Sequence, residues 1–282
     1  MLMVLSHFQA AEMLRAREAG LTEVVSSIDL RMTTMTARPG TDGVWLAEGV
    51  MVSWAQVAEI ADNPTACYEV LAGEIVPIRA FSQMTGRFYS LLPTEGAPTM
   101  LVAGFPMHRI KGIDPHRDTL NKIKALGTPR GRLLDTATGL GYTAIEAAKT
   151  ADEVVTVELD AAAQGICRRN PWSQGLFRNA KIRQIMGDSY EVIETFAAGT
   201  FSCILHDPPT FSLAGELYSR HFYEEAYRVL RARGRLFHYI GDPSSKSGAN
   251  ITRGVVRRLQ EAGFGRVVAK PRAYGVVAYK SG

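Results

Sequence analysis

The sequence predicts an α/β protein: a seven-stranded, mostly parallel sheet ending in an antiparallel hairpin, preceded by a smaller β-rich domain. Three observations carry this. From Gly131 onward, short apolar runs alternate with helical segments, the pattern of a parallel sheet covered on both faces through right-handed crossovers. The last two runs, 264–269 and 273–279, are joined by only a Lys-Pro-Arg turn, so that pair must be antiparallel. Finally, Leu133-Leu134-Asp135 runs into Thr136-Ala137-Thr138-Gly139-Leu140-Gly141-Tyr142-Thr143-Ala144, an apolar strand, a glycine turn and a helix start that read as a cradle for a nucleotide-like cofactor.

Taken in order, Phe8, Ala11, Met13 and Leu14 among charged neighbours predict an amphipathic helix over 8–19 that Gly20 stops. Residues 23–30 and 32–37 read as strands, and 38–43 as the turn into a strand at 44–46. Ser53 is placed to cap a helix through Trp54, Val57 and Ile60 that ends before Asn63-Pro64. Further strands are expected at 68–71, 73–79, 87–92 and 99–102. Residues 1–106 thus form a small β-rich domain, and 107–130 a connector with a helix over 119–126. Residues 131–282 form the cofactor-binding domain, with strands at 132–136, 153–157, 181–185, 201–206, 234–240, 264–269 and 273–279. Its helices are expected near 141–150, 160–169, 189–197, 216–231 and 251–262.

Composition narrows the function classes. No run approaches the ~18 apolar residues of a membrane helix, and the N-terminus lacks the basic lead of a secretory signal. Cys67, Cys167 and Cys203 lie far apart among apolar neighbours, as buried thiols in a reducing compartment do; a cytoplasmic location is expected. His108 and His116 in the connector lack metal-ligand spacing, and no metal is expected. Residues 1–127 carry 11 basic and 13 acidic side chains, residues 128–282 carry 21 and 15. The acidic first part argues against a dedicated RNA-binding appendage, while the basic excess of the second leaves nucleic acid open.

In an open α/β sheet, ligands collect at the carboxyl ends of the strands. Strand one is followed by Asp135, Thr138, Gly139, Gly141, Tyr142 and Thr143, and strand two by Glu158 and Leu159. Glu158 stands 19 positions after Gly139, a distance at which an acid reaches ribose hydroxyls. Strand three is followed by Asp188 and Ser189, and strand four by His206, Asp207, Pro208, Pro209, Thr210 and Phe211. Singly each has another reading. The glycine pair also fits the dinucleotide fingerprint of dehydrogenases, Glu158 fits a solvated strand end, and Asp188 fits a helix cap. Together, in order, they point to a cofactor site.

The stretch from Asp135 to Gly141 resembles the first motif of class I S-adenosylmethionine-dependent methyltransferases, and Asp207-Pro208-Pro209 resembles their fourth. The resemblance implies their seven-stranded Rossmann-like sheet and S-adenosylmethionine as cofactor. Gly139 and Gly141 would pass beneath the methionyl part, Asp135 would face its ammonium, Glu158 would bind the ribose, and Asp188 the adenine amino group. The segments 206–219 and 234–239 are similar to those of the predicted archaeal-type methyltransferases, and Arg87-Phe88-Tyr89 and Met107-His108-Arg109 take part in that similarity as well, so the likeness spans nearly the whole chain.

Asp207 to Phe211 also resembles the corresponding stretch of nitrogen methylases, including ribosomal RNA base methyltransferases. There the carboxylate and an adjacent proline carbonyl hold the target N–H while an aromatic ring stacks on the acceptor. Leu217 to Tyr223 is similar to spermidine-synthase-like proteins, although Tyr218, Phe222 and Tyr223 also suit core packing. The expectation is methyl transfer to nitrogen of a planar base or an amine. The acceptor is left open between nucleic acid and a small amine, and homo-oligomers are possible. The alternatives are aminopropyl transfer to a polyamine, a non-catalytic cofactor-binding module, and a nicotinamide-dependent oxidoreductase, against which Asp135 and the paired prolines argue. His206 and His238 are candidate proton acceptors, Phe211 a stacking platform, and the polar loop 241–248 a substrate lid.

Overall fold

The computed structural model describes residues 2–242 and 246–282, apart from the side chains of 246, 247 and 249. The chain divides into two compact units, Met1–His116 with Ala162–Gly175, and Arg117–Ala161 with Leu176–Gly282.

The first unit holds three small antiparallel sheets. One joins Val4–Leu5, Tyr68–Leu71 and Glu74–Pro77; a second joins Val24–Ser26, Met35–Pro39, Gly43–Ala47 and Val50–Ser53; a third joins Arg79–Ser82, Arg87–Leu92, Thr99–Val102 and Phe105–Pro106. Helices His7–Glu18 and Trp54–Ala61 pack on a core of Leu5, Met13, Val44, Leu46, Val57 and Ile60. The cap expected at Ser53 is a reciprocal box: the Gln56 amide donates to Ser53 Oγ at 3.3 Å, and Gln56 Oε1 accepts from the Ser53 amide at 2.9 Å. Residues 162–175 belong to this unit although they lie between strands of the other. Arg169 Nε pairs with Glu69 at 2.6 Å and Trp172 Nε1 donates to the Leu30 carbonyl at 3.0 Å.

The second unit is built on one seven-stranded sheet: β1 (Arg132–Asp135), β2 (Glu153–Glu158), β3 (Ile182–Met186), β4 (Phe201–His206), β5 (Leu230–Tyr239), β6 (Arg266–Lys270) and β7 (Gly275–Tyr279). The order is β3-β2-β1-β4-β5-β7-β6. The first five strands run parallel; β7 is antiparallel to both β5 and β6. The order reverses beside β1, so the crevice at its carboxyl end is the topological switch point where ligands bind. Largely apolar runs such as Phe201-Ser202-Cys203-Ile204-Leu205 are buried on both faces, as parallel strands require. One core joins Leu134, Val155, Ile204, Phe222, Leu236 and Val277's neighbours Val276 and Ala278.

Several expectations are corrected. The strand expected at 73–79 is two strands, Glu74–Pro77 and Arg79–Ser82, in different sheets. The helix expected over 216–231 is a 3-10 turn at Gly215–Tyr218 and a new helix at Arg220–Val229, because Ser219 caps afresh and its Oγ accepts from the Phe222 amide at 3.1 Å. The chain turns extended at Leu230, so β5 starts four residues before the expected Gly234. The helix expected over 189–197 is only Ser189–Val192 followed by a 3-10 turn. The polar loop at 241–248 also differs: Lys246–Gly248 open the helix Lys246–Glu261, and Pro243–Ser245 lie outside the described residues. Among the described residues no helix is long and apolar enough to cross a membrane.

Candidate functional site

Asp135 ends β1 and is fully buried. Its Oδ2 accepts from Thr143 Oγ1 at 3.0 Å and from Thr156 Oγ1 at 3.2 Å, and Thr156 is joined in turn to Thr138 Oγ1 at 2.7 Å. Oδ1 is buried with no hydrogen-bond partner among the described residues. Burial pushes the Asp135 carboxyl up to about 7, opposed by the hydroxyls of Thr143 and Thr156 and the Ala137 amide, and assisted by the charge of Asp207. That last influence runs between the ends of β1 and β4, which are neighbours in the sheet.

Gly139 and Gly141 both take positive φ, 53° and 74°, which favours glycine. A Cβ on Gly139 would meet nothing within 4 Å, so the turn leaves open space beside its backbone. A Cβ on Gly141 would sit 2.9 Å from Leu176 Cδ2, so this glycine is needed for packing as well as φ. Gly141 caps the helix Tyr142–Ala148, on whose first turn Tyr142 is buried and Thr143 reaches back to Asp135.

Glu158, at the end of β2, accepts from the Gly139 amide at 3.0 Å through Oε2 and from the Asp160 amide at 3.0 Å through Oε1. Each oxygen keeps a second lone pair. Burial pushes this carboxyl up to about 7, against the pull of those amides. Leu159 beside it is 48% exposed. Asp188 caps the short helix after β3 by accepting from the Tyr190 amide at 2.8 Å, and Ser189 Oγ donates to the Thr136 carbonyl.

Past β4, Asp207 keeps 19% exposure, and its Oδ2 is held by Lys122 Nζ at 2.6 Å. Lys122 also contacts Asp118 Oδ2 at 3.1 Å and lies over the Tyr239 ring, 4.5 Å from its centroid. Pro208 is buried, and the Pro209 carbonyl accepts from Tyr218 Oη at 2.9 Å. Phe211 is 52% exposed and meets Tyr218 edge to face at 5.5 Å.

His206 has a different environment from the one a proton acceptor needs. Its Nε2 lies 2.9 Å from the Leu217 carbonyl and its Nδ1 2.6 Å from Thr136 Oγ1. A carbonyl only accepts, so Nε2 carries the proton and Nδ1 accepts from the threonine. Burial drives the imidazole down to about 3. Both nitrogens are engaged and the ring is neutral, the arrangement of a structural histidine. His238 is also buried, and burial lowers its imidazole well below the ordinary value; its Nε2 is bonded to Tyr223 Oη at 2.9 Å, while its Nδ1 has no hydrogen-bond partner among the described residues.

Lys122 and Asp118 were not among the residues expected at the site. On the helix Pro115–Leu126 they share the buried stripe with Pro115, Thr119 and Leu126. Two charged residues four apart on an otherwise inward stripe are the signal that marks them. Among the described residues no group of three or more His, Cys, Asp or Glu is arranged to hold a metal.

A family model described as conserved hypothetical protein 95 matches residues 114–236. The uncharacterized protein MJ1233 of Methanocaldococcus jannaschii is 43% identical over 231 residues, which cover 81% of this chain and 78% of that protein. Among solved structures the chain is similar to a spermidine synthase in complex with the transition-state analogue AdoDATO, with a TM-score of 0.59, 17% identity and 72% of each chain covered. Spermidine synthase from Thermotoga maritima gives 0.57, at 15% identity over 72% of this chain and 71% of that one. MnmC2 from Aquifex aeolicus gives 0.51, at 18% identity over 67% and 70%. At such identities the likeness is one of fold, the class I methyltransferase-like fold.

Proposed function

Because the chain belongs to the family of the uncharacterized protein MJ1233 and has a class I methyltransferase-like fold, we propose that it is an S-adenosylmethionine-dependent methyltransferase whose acceptor atom is a nitrogen. One observation supports this above the others: Asp135 Oδ1 is buried with no hydrogen-bond partner among the described residues, at the end of the strand that runs into the positive-φ glycine turn. An orphaned carboxylate oxygen costs about 1–3 kcal/mol or more, and a ligand ammonium is the group that relieves it. The residues present therefore fit the cofactor. When bound, it supplies an electrophilic methyl group on a sulfonium.

Asp135 would hold the ammonium, the Gly139 backbone would lie beneath the methionyl part, Glu158 would accept from the ribose hydroxyls, and Asp188 would accept from the adenine amino group. On the facing wall, Asp207 Oδ1 would accept from the acceptor N–H, orienting its lone pair and tolerating the positive charge that develops there. The Pro208 carbonyl, stiffened by two fixed φ angles, would take a second N–H. Phe211 would stack on a planar acceptor. The chain's own work is orientation and exclusion of water.

The test is turnover of S-adenosylmethionine and, separately, of its decarboxylated form with tRNA, rRNA, polyamines and cell extract as acceptors. Consumption of S-adenosylmethionine with the methyl label recovered on nitrogen is expected. Turnover of the decarboxylated form alone would make the protein an aminopropyltransferase instead.

A further inference from the structure

We propose that Lys122 and Asp118 form a positioning pair that sets the charge and orientation of Asp207, locking Oδ2 so that Oδ1 is the oxygen offered to the acceptor. The role toward the acceptor rests on the methyltransferase reading; the control of Asp207 itself does not.

The geometry is specific. Lys122 Nζ stands 2.6 Å from Asp207 Oδ2 and 3.1 Å from Asp118 Oδ2, with the Tyr239 ring 4.5 Å away. An ammonium has three protons, and here two carboxylates and one aromatic face receive it. Its side chain is 1% exposed and that of Asp118 0%. Burying a charged lysine costs several kcal/mol unless it is paired and hydrogen-bonded, so a merely space-filling role would be served better by methionine or leucine. The groups facing this cluster are Asp118 on the same helix, Asp207 after β4, Tyr239 at the end of β5, Tyr218 in the 3-10 turn and Asp135 at the end of β1.

The two partners act on Asp207 in opposite senses. Burial raises the Asp207 carboxyl above its ordinary range, Lys122 pulls it back by charge and hydrogen bond, and Asp118 pushes it up. With Lys122 present, Asp207 is held toward the ionised form, which accepts hydrogen bonds only. Without Lys122 that pull is lost and the carboxyl shifts toward its protonated form, which would present a donor to the acceptor nitrogen.

The experiment is a pH titration of the full-length protein carrying 13C-carboxyl aspartate, with the Asp207 signal assigned by its loss in Asp207→Asn. In Lys122→Met the Asp207 midpoint should rise by about one pH unit or more, and in Asp118→Asn it should fall. Lys122→Arg should stay near the wild type and carries the test, with Asp118→Asn, if Lys122→Met does not fold. Equal midpoints in all variants, or shifts of one sign in Lys122→Met and Asp118→Asn, overturn the proposal. Calorimetry with S-adenosylmethionine on the same samples separates the two readings: opposed shifts in a protein that does not bind it would uphold the control of Asp207 and remove the methyltransferase reading.

Discussion

Thr143 Oγ1 donates to Asp135 Oδ2 across 3.0 Å, from the first turn of the helix that the glycine turn launches. With Thr156 on the same oxygen at 3.2 Å, the carboxylate is fixed by one oxygen and presents the other. A buried acid with an oxygen that lacks a partner is costly, and on the reading proposed above a ligand ammonium would relieve that cost.

Asp135→Asn should therefore weaken S-adenosylmethionine binding by about 10–100-fold, the loss of a hydrogen bond to a charged group worth about 1.5–3 kcal/mol. The ligand-free variant should be no less stable than the wild type at pH 8, since an amide avoids the desolvation that raises this carboxyl. Calorimetry and urea denaturation check the two halves separately, and a variant binding as tightly as the wild type would remove Asp135 from the site.

Asp135 and Glu158 are both pushed up to about 7 from ordinary values of 3.8 and 4.5. The folded protein thus binds more protons than the unfolded chain between those limits. The stability these groups contribute is complete below about pH 4 and declines as pH rises toward 7. A ligand cation at Asp135 favours the ionised form, so its affinity should move the other way, falling by up to about tenfold per pH unit below pH 7. Denaturation of the ligand-free protein and calorimetry across pH 5–8 should show these opposed slopes.

Gly141→Val combines an unfavourable positive φ with a Cβ placed 2.9 Å from Leu176 Cδ2. It should lose cofactor binding and lower stability by roughly 1–3 kcal/mol. Leu176→Ala in the same chain should restore part of the stability, since the clash is relieved and the φ cost is not. Gly139→Ala, with nothing within 4 Å, should be milder in the melting temperature, and the contrast between the two glycines is the measurement.

His206→Gln should destabilise the protein by about 1–3 kcal/mol, because it disturbs buried partners on both ring nitrogens, Thr136 Oγ1 and the Leu217 carbonyl. The pH dependence of whatever turnover is found should keep its shape. A lost basic or acidic limb in that profile would return His206 to the chemistry.

The strand–helix alternation and the terminal hairpin are legible in the sequence because parallel strands buried on both faces read as mainly apolar runs, as β4 does with Phe201, Cys203, Ile204 and Leu205. Strands 68–71, 87–92 and 99–102 stand at the expected residues because glycine and proline bound them. Legibility fails where a single side chain redirects the backbone, as Ser219 does by capping anew within an apparently continuous helix. It fails again for Asp118 and Lys122, whose charges suggest solvent until Asp207, 85 residues beyond Lys122, is brought to them. The strand-end acids could be placed from spacing; the hydroxyls that orient Asp135 and the carbonyl that immobilises His206 depend on neighbours far along the chain.

The passage of residues 162–175 into the first unit, between β2 and β3, bears on how the chain can be cut. The backbone crosses between units at 116/117, 161/162 and 175/176, so no single cleavage separates them. A gene fragment starting at the glycine cradle would carry a strip whose Arg169 and Trp172 have left Glu69 and Leu30 behind. Shuffling either unit into another protein as a cassette would break the other. Neither unit is therefore a single continuous stretch of the sequence.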